Sequence, residues 1–282
     1  MMVYKRIWLL GITLGNVIKY YKETYYNENS LKIEFNVTTK AAGANPKGNI
    51  TIYGLNNKDL QYYASLNQKR GFENNIVTLE CGYMGQSLSL LFQGNIQSAK
   101  VDFQSVDKSL SLELGTRVSN NFLNNRISSS YSGDTTVEKV ARDIASANGV
   151  GIEIGKGITE TLQDFSFVGT PFQFMESLRE SFPDLDIFFS PNLNKIIIEK
   201  KESTTDTSTL SKETGLIGAP DAIQGGLIVQ SLLNLKLKVG QRINLKYENL
   251  THFNGTYKIV EMTHRGSNKS NEWISILTLR NV

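Results

Sequence analysis

The sequence predicts a mainly β fold with an α+β insertion. A β domain at residues 1–118 is followed by an α+β domain at 119–200, a polar connector at 201–214 and a second β domain at 215–282. Three observations predict it. Apolar residues recur with a period of two near both termini, the mark of half-buried strands. Between them the period lengthens to that of helices, with capping residues in place. Lys201–Thr214 then holds five Thr and three Ser with Leu210 as its single apolar residue, the composition of a mobile connector.

The elements follow in order. Lys5-Arg6 before the apolar run Ile7–Gly15 has the outline of a short signal peptide, but Asn16 follows without a small-residue cleavage site, so an opening strand is the better reading. Leu31, Ile33, Phe35 and Val37 share one face of a strand, and Asn49–Tyr53 forms another. A short helix is expected next, capped by Asn57, with Leu60, Tyr63 and Ala64 on its buried side. Strands resume at Ile76–Gly82, Leu88–Phe92, Ala99–Phe103 and Leu110–Leu114. Many short strands with one helix suggest a small barrel or sandwich.

In the middle, Asp134 or Thr135 caps a helix, Thr135–Glu138 has capping-box spacing, and Val137, Val140, Ala141, Ile144 and Ala145 form its apolar stripe. Asn148-Gly149 stops it. Thr170-Pro171 opens a second helix that Pro183 ends, and a hairpin pairs Leu185–Phe189 with Lys195–Glu199 across Ser190–Asn194. In the last segment Leu235, Leu237 and Val239 alternate with lysines, as do Ile243, Leu245 and Tyr247 with Asn244 and Lys246. Gly240 sits at the tight turn between these two runs, and Asn254-Gly255 suits a type I′ hairpin.

Composition and motifs argue against most chemistry. The 282 residues include thirteen Phe and twelve Tyr, ample for real cores, and the net charge of +3 is not gathered into a basic block. No apolar run reaches the ~18 residues of a membrane span. The one cysteine, Cys81, lies on a strand face with Val77 and Leu79 and reads as a buried apolar residue. His252 and His264 lack a metal-ligand spacing, and no Gly-x-Ser-x-Gly elbow or phosphate loop occurs. Glu180, Asp184 and Asp186 are the one acidic group to weigh for glycoside hydrolysis, and they sit at a helix-to-strand junction where acids are commonly just solvated. The cluster Lys19-Tyr20-Tyr21-Lys22 with Tyr25-Tyr26 fits a subunit interface better than a stacking platform for bases. The five Asn-x-Ser/Thr triplets carry no meaning without secretion.

The order of the closing motifs carries a resemblance: Gly215-Leu216-Ile217-Gly218, the Leu232-Leu233-Asn234 run, Gly240, Asn254-Gly255-Thr256-Tyr257, His264-Arg265-Gly266 and the Trp273 strand. With Thr51–Leu60 and the later Gly82-Tyr83 and Leu91–Ile96, they resemble the baseplate hub proteins of contractile phage tails and related injection machines. The resemblance implies two tail-tube-like antiparallel β-barrel domains and a homotrimer with pseudo-sixfold symmetry. It implies a ring that adapts a hexameric tail tube protein to a trimeric central spike protein, with surrounding baseplate proteins and the tape measure protein as further partners. It implies a place in the tail baseplate of a virion or bacteriocin-like particle, after synthesis in the bacterial cytoplasm, with no cofactor, no metal, no catalytic residues and no specific nucleic acid. Gly215, Leu216, Ile217, Gly218, Gly240, Asn254, Gly255, His264 and Trp273 become assembly or turn positions, with His264 fixing the turn before Gly266. Two other functions remain as rivals, a tail-associated cell-wall hydrolase and a single-strand nucleic-acid-binding β-barrel protein.

Overall fold

The computed structural model describes residues 5–14, 17–23, 31–40, 47–68, 75–115, 125–190, 195–200 and 207–281. The first part supplies β1 (Arg6–Leu14), β2 (Val17–Lys22), β3 (Lys32–Lys40), β4 (Lys47–Tyr53), helix α1 (Asn57–Gln68), β5 (Ile76–Tyr83), β6 (Ser89–Asp102) and β7 (Ser109–Gly115). The last part supplies β15 (Ser208–Leu210), β16 (Leu216–Ile223), β17 (Gly226–Leu232), β18 (Arg242–Leu245), β19 (Gly255–Ser267) and β20 (Trp273–Asn281). These thirteen strands form one sheet, with a main path β16-β17-β20-β19-β3-β4-β7-β6-β5-β1-β2 and β18 and β15 branching from β19. The joint between the two parts is an antiparallel ladder of β19 and β3, from Glu261 opposite Lys40 to Ser267 opposite Glu34.

Alternation explains why the first part folds this way. Ile33, Phe35 and Val37 all turn into one core with Trp8, Leu10 and Ile12, and Val77, Leu79 and Cys81 do the same from β5. Burial pushes the Cys81 thiol well up, so it stays protonated and inert. Leu60 and Tyr63 of α1 close this core. The expected pair of strands at Leu88–Phe92 and Ala99–Phe103 is instead the single fourteen-residue β6. Its first half pairs with β5 and its second half with β7, so the chain changes partner at Asn95 without breaking. The α1 cap is Asn56, not Asn57, because its Oδ1 accepts the Asp59 N–H at 2.8 Å.

The middle builds its own core from β8 (Ile127–Ser130), β9 (Asp134–Thr136), α2 (Val137–Ala147), β10 (Gly151–Ile154), β11 (Thr161–Gln163), β12 (Ser166–Gly169), α3 (Pro171–Ser181), β13 (Leu185–Ser190) and β14 (Lys195–Lys200). All five residues of the expected α2 stripe are buried. The cap is Thr136, whose side chain accepts from the Lys139 N–H; Asp134 and Thr135 are held in β9 opposite β11, and Glu138 turns to Arg142. Thr170 and Gln173 make the reciprocal capping box of α3 with Pro171 at its start. The β13–β14 hairpin is as expected, but β10 adds to β14 in parallel. That pair, and β15 with β18, are short parallel departures from an otherwise antiparallel organisation.

The last part departs most from its sequence reading. Leu237 and Val239 are buried, yet 233–241 is not a strand. Asn234 folds its side chain onto the Lys236 N–H, and Gln241 takes the Lys238 N–H, so local side-chain bonds replace a ladder. Asn254-Gly255 is no type I′ turn, since Asn254 is extended (φ −69°, ψ 137°) behind a 3₁₀ turn at Thr251–Phe253. Its Oδ1 instead accepts the Tyr247 N–H at 2.6 Å. Of the expected mobile connector, 201–206 lies outside the described residues, while from Ser208 the chain forms β15 and buries Leu210. Tyr25 and Tyr26, and part of the Ser190–Asn194 turn, also lie outside the described residues.

Candidate functional site

The candidate surfaces are those where strands end and where the three cores meet. Gly215 (φ +104°) and Gly218 (φ +70°) bracket Leu216, which is buried, and Ile217, which faces outward. They place a kinked strand, β16, at one end of the sheet. Pro220 lies in it, and the pairing with β17 breaks between Ile217 and Asp221. At the opposite end β2, among the described residues, pairs only with β1. Lys19 reaches Asp59 at 2.6 Å and lies over the Tyr62 ring, while the Tyr21 hydroxyl bonds Asp59 and Tyr63. Burial raises the Tyr63 hydroxyl to about 12. Of the described residues of that aromatic cluster, Tyr20 stands out and Tyr21 is buried.

Gly240 marks the seam between the middle and last parts. It has φ +92°, its N–H reaches the Ile259 carbonyl at 2.8 Å, and a Cβ there would lie 2.3 Å from Cζ of Phe188. The ring of Phe188 therefore seats on bare backbone. Beside it Lys258 pairs with Asp186 at 2.6 Å and lies over the same ring. Burial lowers the Lys258 pKa against the pull of Asp186, and burial first, then Glu153 and Asp186, raises that of Glu199. Asp186, weighed as a catalytic acid, is thus an ion-pair partner, and Asp184 is exposed. Replacing Asp186 by Asn leaves a mostly buried ammonium without its counter-charge and should cost about 2–4 kcal/mol in chemical denaturation.

His264 and Trp273 join the first and last parts. His264 lies inside β19, not at a turn: Gly266 still pairs with Trp273 and with Phe35, and the chain turns only after Ser267. The imidazole is 4 % exposed, with Nδ1 2.9 Å from Oγ of Ser275, which also accepts the Asn234 N–H. Burial lowers its pKa to about 4. An unfolded histidine titrates near 6.5, so below that pH the unfolded chain binds a proton the folded chain refuses. Stability is full above about 6.5 and falls by up to roughly 3 kcal/mol as pH drops to about 4. Denaturant melts across that range should show this slope in the wild type and a flatter one in His264→Gln.

Sequence reasoning missed a second clasp. Glu23 accepts the Trp8 indole N–H at 3.0 Å and also bonds Asn268. Asn268 in turn accepts the Ile33 N–H at 2.9 Å, and Arg6 donates to the Ser267 carbonyl at 2.9 Å. The polar turn Ser267–Glu272 reads locally as solvent loop, and no local pattern names partners more than 230 positions away. Among the described residues no three His, Cys, Asp or Glu side chains gather to hold a metal, and no helix is long and apolar enough to cross a membrane.

This arrangement of strands recurs in proteins of tails and injection machines. A tail protein from Neisseria meningitidis MC58 superposes with a TM-score of 0.63 at 8 % identity, over 97 % of this chain and 96 % of that one. A 43 kDa tail protein of prophage MuSo2 from Shewanella oneidensis gives 0.61 at 7 %, over 96 % and 98 %. The E. coli c3393 protein, a component of the type VI secretion system, gives 0.59 at 13 %, over 89 % and 73 %. The c3393 protein exhibits structural similarity to the bacteriophage T4 tail proteins gp27 and gp5. No curated protein sequence matches the chain. The chain therefore falls in the same fold class as these tail and secretion-system proteins. Within that class the chain belongs to the baseplate hub gp41 family, whose model matches residues 13–278. Its role is a structural one in a tail baseplate.

Proposed function

We propose that three copies form a ring on the tail axis, with the hexameric tail tube seated above and a trimeric central spike below. The observation that carries this reading is the β19–β3 ladder, which sets two β parts side by side in one chain. Three chains then offer six β parts, and a threefold object presents a nearly sixfold face. Residues 1–118 and 215–282 act as the two tube-like barrel domains, with 119–200 standing off as the α+β domain. Baseplate proteins around the ring and the tape measure protein inside the tube complete the set of neighbours. β18 and β20 are each flanked by strands on both sides, so they contribute to contacts between copies through side chains and not through strand addition. The kinked end at Gly215–Gly218 serves the same joint through the outward Ile217.

The test is omission. Particles assembled without this chain should contain tube and spike that never join, and supplying the chain in trans should restore the joint. Tails that stay joined without it would refute the adaptor role.

A further inference from the structure

We propose that the α+β part is a detachable arm: it swings off the last β part as a folded unit, while the joint of first and last parts stays closed. The last part holds its two neighbours in different ways. To the first part it is bound by the β19–β3 ladder and by Trp273, which reaches into the other core. To the middle part, among the described residues, no strand crosses: β10, β14 and β13 form a separate sheet. A continuous ladder opens only by breaking backbone hydrogen bonds, whereas a seam of side chains opens by wetting its two faces.

Alternation along β13 and β14 identifies the seam. Leu185, Ile187 and Phe189, with Ile196 and Ile198, pack in the middle core with α2 and α3. Asp186, Phe188, Ile197 and Glu199 lie on the other face, where Phe188 stands opposite Ile197 and Asp186 opposite Glu199. Phe188 and Ile197 are 6 % and 7 % exposed, yet neither belongs to any of the three cores. Phe188 meets Gly240 and Lys258 of the last part. The two carboxylates are answered by two cations abreast, Arg242 and Lys258, which pair across β18 and β19 and both act on Glu199. Glu153, beside Ile197 on β10, and Arg179 of α3 are the other charges there.

This seam is small in apolar area and rich in charge, the profile of an interface between parts that move. Burial works against the charge of Lys258 and of Glu199, and opening returns both to water. Opening also leaves both cores whole. Phe188 and Ile197 lie outside that of the middle part, and Gly240, Arg242 and Lys258 outside that of the last.

The experiment labels thiols with a maleimide in the full chain carrying Ile197→Cys, each rate being divided by that of the same thiol in denaturant. Native Cys81 is the internal reference, because it is fully buried in the first core and reports opening of that part. Position 197 should label at least about a hundredfold faster than Cys81, yet far more slowly than in denaturant. Phe188→Ala and Asp186→Asn, two independent changes to the seam, should each speed labelling at 197 by at least about tenfold. Val140→Ala thins the middle core without touching the seam. If the arm leaves folded, that variant labels at 197 within about twofold of its parent. Equal rates at 197 and Cys81, a rate at 197 matching that in denaturant, or a Val140→Ala acceleration as large as that of Phe188→Ala would each overturn the inference.

Discussion

Trp273→Ala should destabilise the protein by about 3–5 kcal/mol, the range for removing a buried large aromatic side chain. Trp273 belongs to the last strand, yet its indole lies in the core of the first part. It meets Phe35 edge-on at 5.0 Å between centroids, with the Arg6 guanidinium 5.7 Å from its ring. Gly266 makes room for this pair, since a Cβ there would lie 2.4 Å from Phe35 and 2.6 Å from Trp273. Losing the indole therefore opens a cavity at the β19–β3 joint itself and loosens both parts together. Chemical denaturation should show one cooperative transition moved to lower denaturant. Among the described residues the indole N–H has no hydrogen-bond partner. Trp273→Phe keeps an aromatic ring near Phe35 and removes that unpaired donor, so its loss should be only about 1 kcal/mol.

Gly240→Ala is expected to cost about 2–5 kcal/mol, by two routes at once. The left-handed backbone penalises any Cβ by roughly 1–2 kcal/mol. Displacing the Phe188 ring adds about 1–3 kcal/mol, because a packed ring cannot yield without moving its neighbours. Limited proteolysis should then cut the middle part sooner, as its seat on the last part loosens. The pairwise cause is open to a double-mutant cycle: Gly240→Ala in a Phe188→Ala background should cost about 1–2 kcal/mol, the backbone share alone. Equal costs in both backgrounds would show that the ring is not the obstacle.

Alternation and stripes made much of this fold legible. Ile33, Phe35 and Val37, the α2 stripe and the Thr170-Pro171 start can each be read within a dozen residues, and each lies where those patterns put it. The misreadings share a cause. At Leu235–Val239 the alternation was real, but Asn234 and Gln241 satisfied the backbone locally and no ladder formed. At Asn254 the side chain served a neighbouring turn and not a hairpin. His264 looked like a turn residue because Gly266 follows it, whereas that glycine is bare to admit Phe35 and Trp273. The surfaces that matter for assembly were the least legible. Which strands end the sheet depends on pairing between distant segments, and the seat of Phe188 on Gly240 leaves no local pattern.

The number of copies at the joint between tube and spike is what separates a ring from any other arrangement. Electron cryomicroscopy of intact tails, reconstructed without imposed symmetry at the baseplate, counts them directly. Three copies around a central channel, with six β parts alternating beneath the last tube ring, is the predicted result. Six copies, a single copy, or density for this chain away from the tail axis would contradict it.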